Sequence, residues 1–290
     1  MLNTPADGAL HQAGLLFETA ARKDPAYPLA WAGVAEAALR SGDAERARAA
    51  ARRAVELDPT IPGPHLTLAL IAQNQDWDWP EAEHEFRRAV ELGVREAAAH
   101  HLYGVFSVLT GHTEQGLAEI LLAEHLEPLS AAISSDYVKC LYLARRYDDA
   151  ITGGRAAVAL DPAFAPSHRW LSAAYLQKGM EQESKAERKL DTASAPESGV
   201  ILAAARKGDR QEVQRLLPVL ESRLQAGKIS AFELASLQSA AGNKDKAFEL
   251  LDEAFTKHQN GLLSLKTDPG FDGLRSDARF NTLLKKLHLI

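Results

Sequence analysis

The chain has 290 residues, of which 46% are hydrophobic and 25% are charged, an ordinary composition for a globular protein. Its net charge of −6 argues against nucleic-acid binding, because nucleic-acid binders usually carry a basic surface. A single cysteine, Cys140, excludes an intramolecular disulfide. The sequence shows neither a signal-peptide pattern nor an apolar stretch of about 18 residues that would span a membrane. We expect a soluble, cytoplasmic protein with no membrane partner.

The first predicted helix ends at Lys23, immediately before Asp24-Pro25. Proline cannot continue a helix and disfavours the helical conformation in the residue before it. The same ending closes the second helix of several hairpins further along the chain, so this helix is the second half of a hairpin. We expect residues 1–27 to form an N-terminal half-repeat or capping helix, whose partner helix either precedes Met1 or is missing.

A sequence pattern repeats at a regular interval along most of the rest of the chain. The tripeptide Leu-Asp-Pro or Leu-Glu-Pro ends at Pro59, Pro128 and Pro162, and a weaker copy ends at Pro25. Pro25 and Pro59 are 34 residues apart, as are Pro128 and Pro162. A period of about 34 residues is that of the tetratricopeptide repeat (TPR), a helix–turn–helix unit.

Each period contains two helical patterns joined by a turn. Gly42, between the helices of the first full repeat, suits the left-handed conformation that often ends a helix. Apolar and small residues recur at helical spacing on both sides of this turn. The same frame fits the segments 28–61, 62–96, 97–130, 131–164 and 165–198.

The C-terminal third is less regular. Residues 199–261 contain a degenerate copy followed by a further repeat, and residues 262–290 form an amphipathic segment that would cap the last hairpin. Whether a groove continues past residue 198 stays open. The sequence as a whole predicts an all-α, right-handed superhelical solenoid of antiparallel TPR hairpins.

The repeat 62–96 carries one extra residue in its turn, within Asp76-Trp77-Asp78-Trp79. Asp78 is placed to cap the next helix, with Pro80 in its first turn. Trp77 and Trp79 either pack over the widened hairpin or form an exposed binding anchor.

Gly153 and Gly154 lie inside a predicted second helix, where the repeat normally places a bulky residue. Two glycines in a helix interior cost about 1 kcal/mol each relative to alanine. Either a neighbouring helix packs very close at this point, or the array is soft there.

Four motifs occur together: Asp76–Trp79, Ala144–Ala150 (Ala-Arg-Arg-Tyr-Asp-Asp-Ala), Gln177–Met180, and the tail Asp-Pro-x-Phe-Asp-x-Leu-Arg-Ser-Asp-x-Arg-Phe at 268–280. Together they resemble the C-terminal TPR half of bacterial signalling proteins, in which the array follows a winged-helix, serine/threonine kinase or nucleotide-cyclase domain. The resemblance implies a regulatory or sensory scaffold. It implies no catalytic or DNA-contacting residue, because this sequence contains no such output domain.

Residue patterns that carry catalysis are missing from the sequence: there is no phosphate-binding loop, dinucleotide fingerprint, nucleophile elbow or zinc-binding helix motif. His100 and His101 are adjacent, so on a helix they diverge by about 100° and cannot easily share a metal. Cys140 lies at a core-like position, where a buried thiol is inert. We therefore expect no enzyme activity, no cofactor and no metal.

The first helices of successive TPR hairpins line one inner face, where exposed positions recur every three to four residues. The first half of this strip is apolar, and the second half carries polar and basic side chains. This asymmetry predicts a groove for an extended or helical protein segment with apolar anchors and an acidic end, unless the polar side chains are merely solvated. The predicted groove residues are Leu66, Leu70, Gln73, His101, Val105, Val108, Lys139, Tyr142 and Arg169.

These observations favour a non-catalytic protein–protein interaction scaffold, the regulatory TPR region of a bacterial signalling or transcription-regulating protein. The alternative is a sensor that binds a small ligand or peptide in the groove. An accessory role to an enzyme and RNA binding are weaker hypotheses, because no catalytic constellation and no basic balance support them. The sequence names neither the partner nor the oligomeric state.

Overall fold

A computed structural model describes residues 5–192 and 194–290; residues 1–4 of the predicted N-terminal element lie outside the described residues. Within these ranges the chain is helical and contains no strand, which confirms the predicted all-α fold built from helical hairpins. The chain divides into two compact units, with the division between Tyr103 and Gly104. None of the helices in the described part is both long and apolar enough to cross a bilayer.

In the first unit, α1 is followed by antiparallel hairpins. Ala47, Ala51 and Ala54 are fully buried, because their small side chains let the second helix of the first hairpin approach its neighbours closely. Gly42 adopts the predicted left-handed conformation, with φ 83°. The helices are α1 (Pro5–Lys23), α2 (Pro28–Arg40), α3 (Ala44–Leu57), α4 (Pro62–Ile71), α5 (Trp79–Leu92) and α6 (Ala97–Thr110), the last of which continues into the second unit.

A π-helical turn accommodates the extra residue of the repeat 62–96. Helix α4 runs into the π-helix Ala72–Asp76, and Trp77 follows in the left-handed conformation, with φ 55°. Asp78 then caps α5 by accepting a hydrogen bond from the backbone N–H of Glu81 at 3.1 Å. Trp79 is buried, and the indole nitrogen of Trp77 is enclosed, so the structure favours packing over an exposed anchor.

The second unit continues the hairpins and ends in a segment of short turns. The further helices are α7 (Thr113–Leu126), α8 (Ala131–Leu143), α9 (Tyr147–Leu160), α10 (Ala165–Gln177), α11 (Glu181–Arg188), α12 (Pro196–Lys207), α13 (Arg210–Gln225), α14 (Ala231–Ala240), α15 (Lys244–Thr256) and α16 (Ala278–Lys286). The first helix of each hairpin is, in chain order, the end of α6, then α8, α10, α12 and α14. Two 3₁₀ segments, Asn260–Ser264 and Pro269–Leu274, lie between α15 and α16.

Glycines set the closest helix contacts in this unit. A Cβ at Gly104 would lie 2.8 Å from the carbonyl oxygen of Gly116, and a Cβ at Gly116 would lie 2.6 Å from that of Gly104. The backbones of α6 and α7 therefore touch at this crossing. A Cβ at Gly154 would come within 3.0 Å of Leu171, whereas one at Gly153 would meet only ordinary contacts at 3.6 Å and beyond. Close packing at this joint thus explains Gly154 but not Gly153.

The segment after α15, which we call the tail (residues 260–290), is packed against α14 and α15 by its apolar side chains. Phe271 lies with its ring centroid 5.0 Å from that of Phe232 on α14. Arg279 donates a hydrogen bond to Asp245 at 2.9 Å and lies over the ring of Phe248. The buried side chains of the tail include Phe271, Leu274, Phe280, Leu283, Leu284 and Leu287.

Candidate functional site

The predicted groove residues of the first unit lie on first helices and are partly exposed. Leu66 and Leu70 stand one helical turn apart on α4, and Gln73 follows in the π-helical turn, where its amide donates to Asn74 at 3.0 Å. His101 is partly exposed on α6. These predicted groove side chains are therefore partly accessible at the surface of the first unit.

In the second unit, two predicted groove residues lie on the C-terminal part of α6. Val105 is partly exposed, but Val108 is fully buried. A Cβ at Gly116 would lie 2.6 Å from the Cγ2 of Val108, so Val108 packs inside the α6–α7 hairpin and offers no surface to a partner. The close glycine crossing determines which face of α6 turns inward.

Lys139 and Tyr142 on α8 come together at an aromatic cluster. The ring of Tyr142 lies 5.7 Å from that of Trp170 and 5.8 Å from that of Tyr147. The Lys139 ammonium lies 6.0 Å from the Trp170 ring centroid, within the range of a cation–π contact. Arg169 on α10 is engaged elsewhere, because its Nε donates to the carboxylate of Asp191 at 3.3 Å. Lys139 and Arg169 are both partly exposed, but only Arg169 is paired with a carboxylate in the described contacts.

The tail lies across the C-terminal ends of α8, α10, α12 and α14. A cavity of about 360 Å³ remains between these helix ends and the 3₁₀ segment Pro269–Leu274. Its walls combine apolar and polar side chains. Among the lining residues are Tyr142, Gln177, Arg206, Ser236, Ser239 and Asp268.

A chain of hydrogen bonds crosses three of the helix ends. Gln177 donates to the hydroxyl oxygen of Tyr142 at 3.3 Å and accepts from Arg206 at 2.7 Å. A second nitrogen of Arg206 donates to the backbone carbonyl of Gln177 at 3.0 Å. These bonds hold the polar side chains of α8, α10 and α12 in one fixed arrangement on the cavity wall.

Charged side chains anchor the tail to loops far away in the sequence. Arg145, in the turn after α8, donates to the carboxylate of Asp272 at 2.6 Å and to the carbonyl of Thr267 at 3.3 Å. Lys266 donates to the carbonyl of Thr110 at 3.0 Å, at the end of α6. The tail therefore does more than cover the last hairpin, because it also binds the ends of α6 and α8.

Among the acidic groups that line the cavity, Asp268 is the one whose negative charge is destabilised by burial. Burial raises the pKa of its carboxyl, against the opposing effects of the Gly270 N–H, which donates to it at 2.8 Å, and of nearby Arg145 and Arg275. Burial also raises the pKa of Tyr142, and Asp268 acts in the same direction. The hydroxyl of Ser239 is buried with no hydrogen-bond partner among the described residues. The cavity can thus offer a carboxyl and hydroxyl groups to a bound polar molecule.

Other reactive groups lie outside this site. Cys140 is fully buried, and burial raises the pKa of its thiol to about 12, so it is not a thiolate at neutral pH. In the described ranges, no group of three or more histidine, cysteine, aspartate or glutamate side chains is placed to hold a metal ion.

The sequence did not predict this cavity, because the residues that form it are widely separated along the chain. Arg145 and Asp272 are 127 residues apart, and Lys266 and Thr110 are 156 apart. The available signal was the charged motif of the tail, whose Arg and Asp residues exceed what a simple apolar cap requires.

Comparison with known proteins supports the assignment of the fold. Residues 9–62 match the family model described as a tetratricopeptide repeat. No curated protein matches the sequence. The family match and the helical hairpins together support a TPR repeat protein.

Solved structures share this fold at low sequence identity. Pseudomonas aeruginosa PilF is 16% identical with a TM-score of 0.55, over 84% of this chain and 96% of that one. PilW, a type IV pilus biogenesis factor, is 17% identical with a TM-score of 0.52, over 85% and 97%. The APC/C hetero-tetramer Cut9–Hcn1 contains a chain that is 19% identical with a TM-score of 0.57, over 65% of this chain and 38% of that one. At these identities the likeness shows the fold alone.

Proposed function

We propose that this protein is a non-catalytic scaffold that binds a segment of another protein along its first helices. The observation that carries the proposal is the partly exposed strip formed by Leu66, Leu70 and His101 on successive first helices of the first unit. The resemblance of the tail and turn motifs to bacterial signalling proteins supports a regulatory TPR region as its setting. A cytoplasmic protein partner fits this role.

Site-specific photo-crosslinking tests the scaffold function. A photoreactive amino acid at Leu70 should crosslink a defined partner in source cells, whereas one at the exposed Arg52 on α3 should not. The purified partner should then bind the wild-type chain, and Leu70→Asp should weaken that binding at least about tenfold. Equal crosslinking at both positions, or unchanged affinity of Leu70→Asp, would contradict binding along the first helices.

Lys139 tests the proposed acidic end of the partner. Its ammonium is partly exposed and lies over Trp170, so Lys139→Glu reverses the charge without removing an ion pair from the described contacts. Arg169→Glu is a poorer probe, because it would also break the ion pair with the buried Asp191. Unchanged affinity of Lys139→Glu for the identified partner would refute an acidic contact at this position.

The cavity of the second unit favours a second candidate function, a sensor for a small polar ligand. A volume of about 360 Å³ lies within the range of small-molecule sites. A ligand found by thermal-shift screening should raise the melting temperature of the wild-type chain. Ala173→Met, which fills the cavity, should abolish this rise, whereas Ala132→Met at an exposed position of α8 should keep it. A ligand that stabilises both variants equally binds elsewhere.

A further inference from the structure

A second cavity in the same unit, which we call the basic pocket, has cationic side chains at five of its ten lining residues. It lies between the end of α11, the link to α12, the end of α13 and the residues before α14, and its volume is about 620 Å³. Such a concentration of positive charge is unusual in a chain whose net charge is −6. The cationic lining residues are Lys185, Arg188, Lys189, Arg223 and Lys228.

The carboxylates near the basic pocket are already engaged. Asp191 is the acidic residue of its lining, and its side chain is 3% exposed and paired with Arg169. Glu197 pairs with Arg223 at 2.9 Å through one carboxylate oxygen, while its other oxygen is buried with no hydrogen-bond partner among the described residues. No carboxylate within the described ranges pairs with Arg188 or with the three lysines of the pocket. The pocket therefore keeps an excess of positive charge.

Arg188 is the least compensated of these cations. Its guanidinium lies against the first turn of α12, where Gly199 has no Cβ to obstruct it. Its Nη1 is buried with no hydrogen-bond partner in the described part of the chain, and burial lowers the pKa of the group. Buried cations are normally paired, because an unpaired one has lost its hydration without any compensation. An anion bound in the pocket, against the partly exposed remainder of the Arg188 side chain, would supply the missing counter-charge.

The side chains, and not the backbone, account for this preference for anions. Ser194 and Ala195, which immediately precede α12, also line the basic pocket, but the Ser194 N–H already donates to the Asp191 carboxylate at 3.2 Å. Proline has no N–H, so Pro196 adds no backbone donor at the start of α12. Arginine adds a planar fork of donors that matches phosphate geometry.

From this arrangement, we propose that the basic pocket binds the dianionic phosphate group of a small phosphorylated molecule, with Arg188 as its central contact and Lys185 and Lys189 as supporting charges. The site is separate from the first-helix strip and from the cavity closed by the tail. It would give the scaffold a second input, since the basic pocket is built from α11, α13 and the residues before α12 and α14.

Titration of the full chain with inorganic phosphate and with phenyl phosphate tests the proposal, with chloride used to hold ionic strength constant. Both compounds should raise the melting temperature and bind saturably. Arg188→Met should bind at least about tenfold more weakly, yet its stability without phosphate should be unchanged or higher, because an apolar side chain replaces an uncompensated cation. The matched control is Lys246→Gln, which removes one positive charge from an exposed pair with Glu249 and should bind as wild type.

Two results would overturn the proposal. One is the lack of any phosphate effect, or an effect of equal size in Arg188→Met and Lys246→Gln, which would indicate general screening of charge. The other is binding of a phosphoserine peptide without binding of phenyl phosphate, which would assign the pocket to a protein and not to a small molecule. Phenyl phosphate that binds as tightly as the peptide supports a small-molecule ligand.

Discussion

At the scale of single residues, Gly153 and Gly154 have opposite roles although they are adjacent. We predict that Gly153→Ala stabilises the protein by up to about 1 kcal/mol, because alanine favours the helix and a Cβ at this position meets only ordinary contacts. Gly154→Ala should destabilise it by about 1–3 kcal/mol, because its Cβ would press on Leu171. Urea unfolding of both variants measures the difference. A loss of stability in Gly153→Ala would show that this glycine is also required by packing.

Two aspartates of the tail should respond to pH in opposite ways. Burial raises the pKa of Asp268 above its ordinary value of 3.8, so its ionisation costs more in the folded state, and stability falls as the pH rises above that value. We predict that Asp268→Asn raises the melting temperature at neutral pH while the amide oxygen still accepts from Gly270. If Asp268→Asn lowered the melting temperature at neutral pH, its charge would be required by the fold.

Asp277 is the matched comparison for Asp268. Its hydrogen bonds with Arg279 lower the pKa of its carboxyl to about 2, so it stabilises the fold above the ordinary pKa of 3.8 and loses this effect as the pH falls towards 2. Asp277→Asn should therefore lower the melting temperature at neutral pH, with little effect near pH 2. Thermal unfolding across this range distinguishes the two residues.

At the scale of elements, two hairpins share the same histidine contact. In each, a histidine on the first helix contacts a glutamate on the second helix and a proline carbonyl in the loop before the hairpin. His65 contacts the carboxylate of Glu85 at 2.6 Å and the carbonyl of Pro59 at 3.2 Å, one with each ring nitrogen. His168 makes the same pair of contacts, with Glu187 at 2.6 Å and Pro162 at 3.0 Å. A carbonyl and a carboxylate only accept hydrogen bonds, so both ring nitrogens must donate for the contact to be complete.

His168 should therefore make stability depend on pH. Burial opposes its protonation, but the Pro162 carbonyl and Glu187 outweigh this effect and raise its pKa above 6.5. The stabilisation is complete below 6.5 and is lost as the pH rises through the folded-state value. We predict that His168→Gln flattens the decrease in urea stability as the pH rises above 6.5, whereas His11→Gln, at an exposed position, leaves it unchanged. A slope that survives in His168→Gln would assign it to another group.

The elements also show how far the sequence predicts the structure. The spacing of the prolines predicts the hairpins, because each hairpin forms through contacts within a single repeat. The spacing of Pro59 to His65 equals that of Pro162 to His168, so a recurring contact was visible in the sequence. The buried position of Val108 was not, since the rotation of α6 depends on the close crossing at Gly116. The charged motif of the tail indicates polar contacts, but it does not identify Arg145 and Thr110 as the partners, because those contacts depend on the folding of the whole unit.

At the scale of the whole molecule, the tail stabilises the second unit through Phe271, which is fully buried beside Phe232. We predict that Phe271→Ala costs about 3–5 kcal/mol of stability and speeds hydrogen exchange in α14 and the tail, while α2 and α3 of the first unit keep their protection. Leu129→Ala removes a side chain that is 83% exposed and should change neither quantity. Equal loss of protection in α2 and α14 would mean that the two units unfold together, so that the tail stabilises the entire chain.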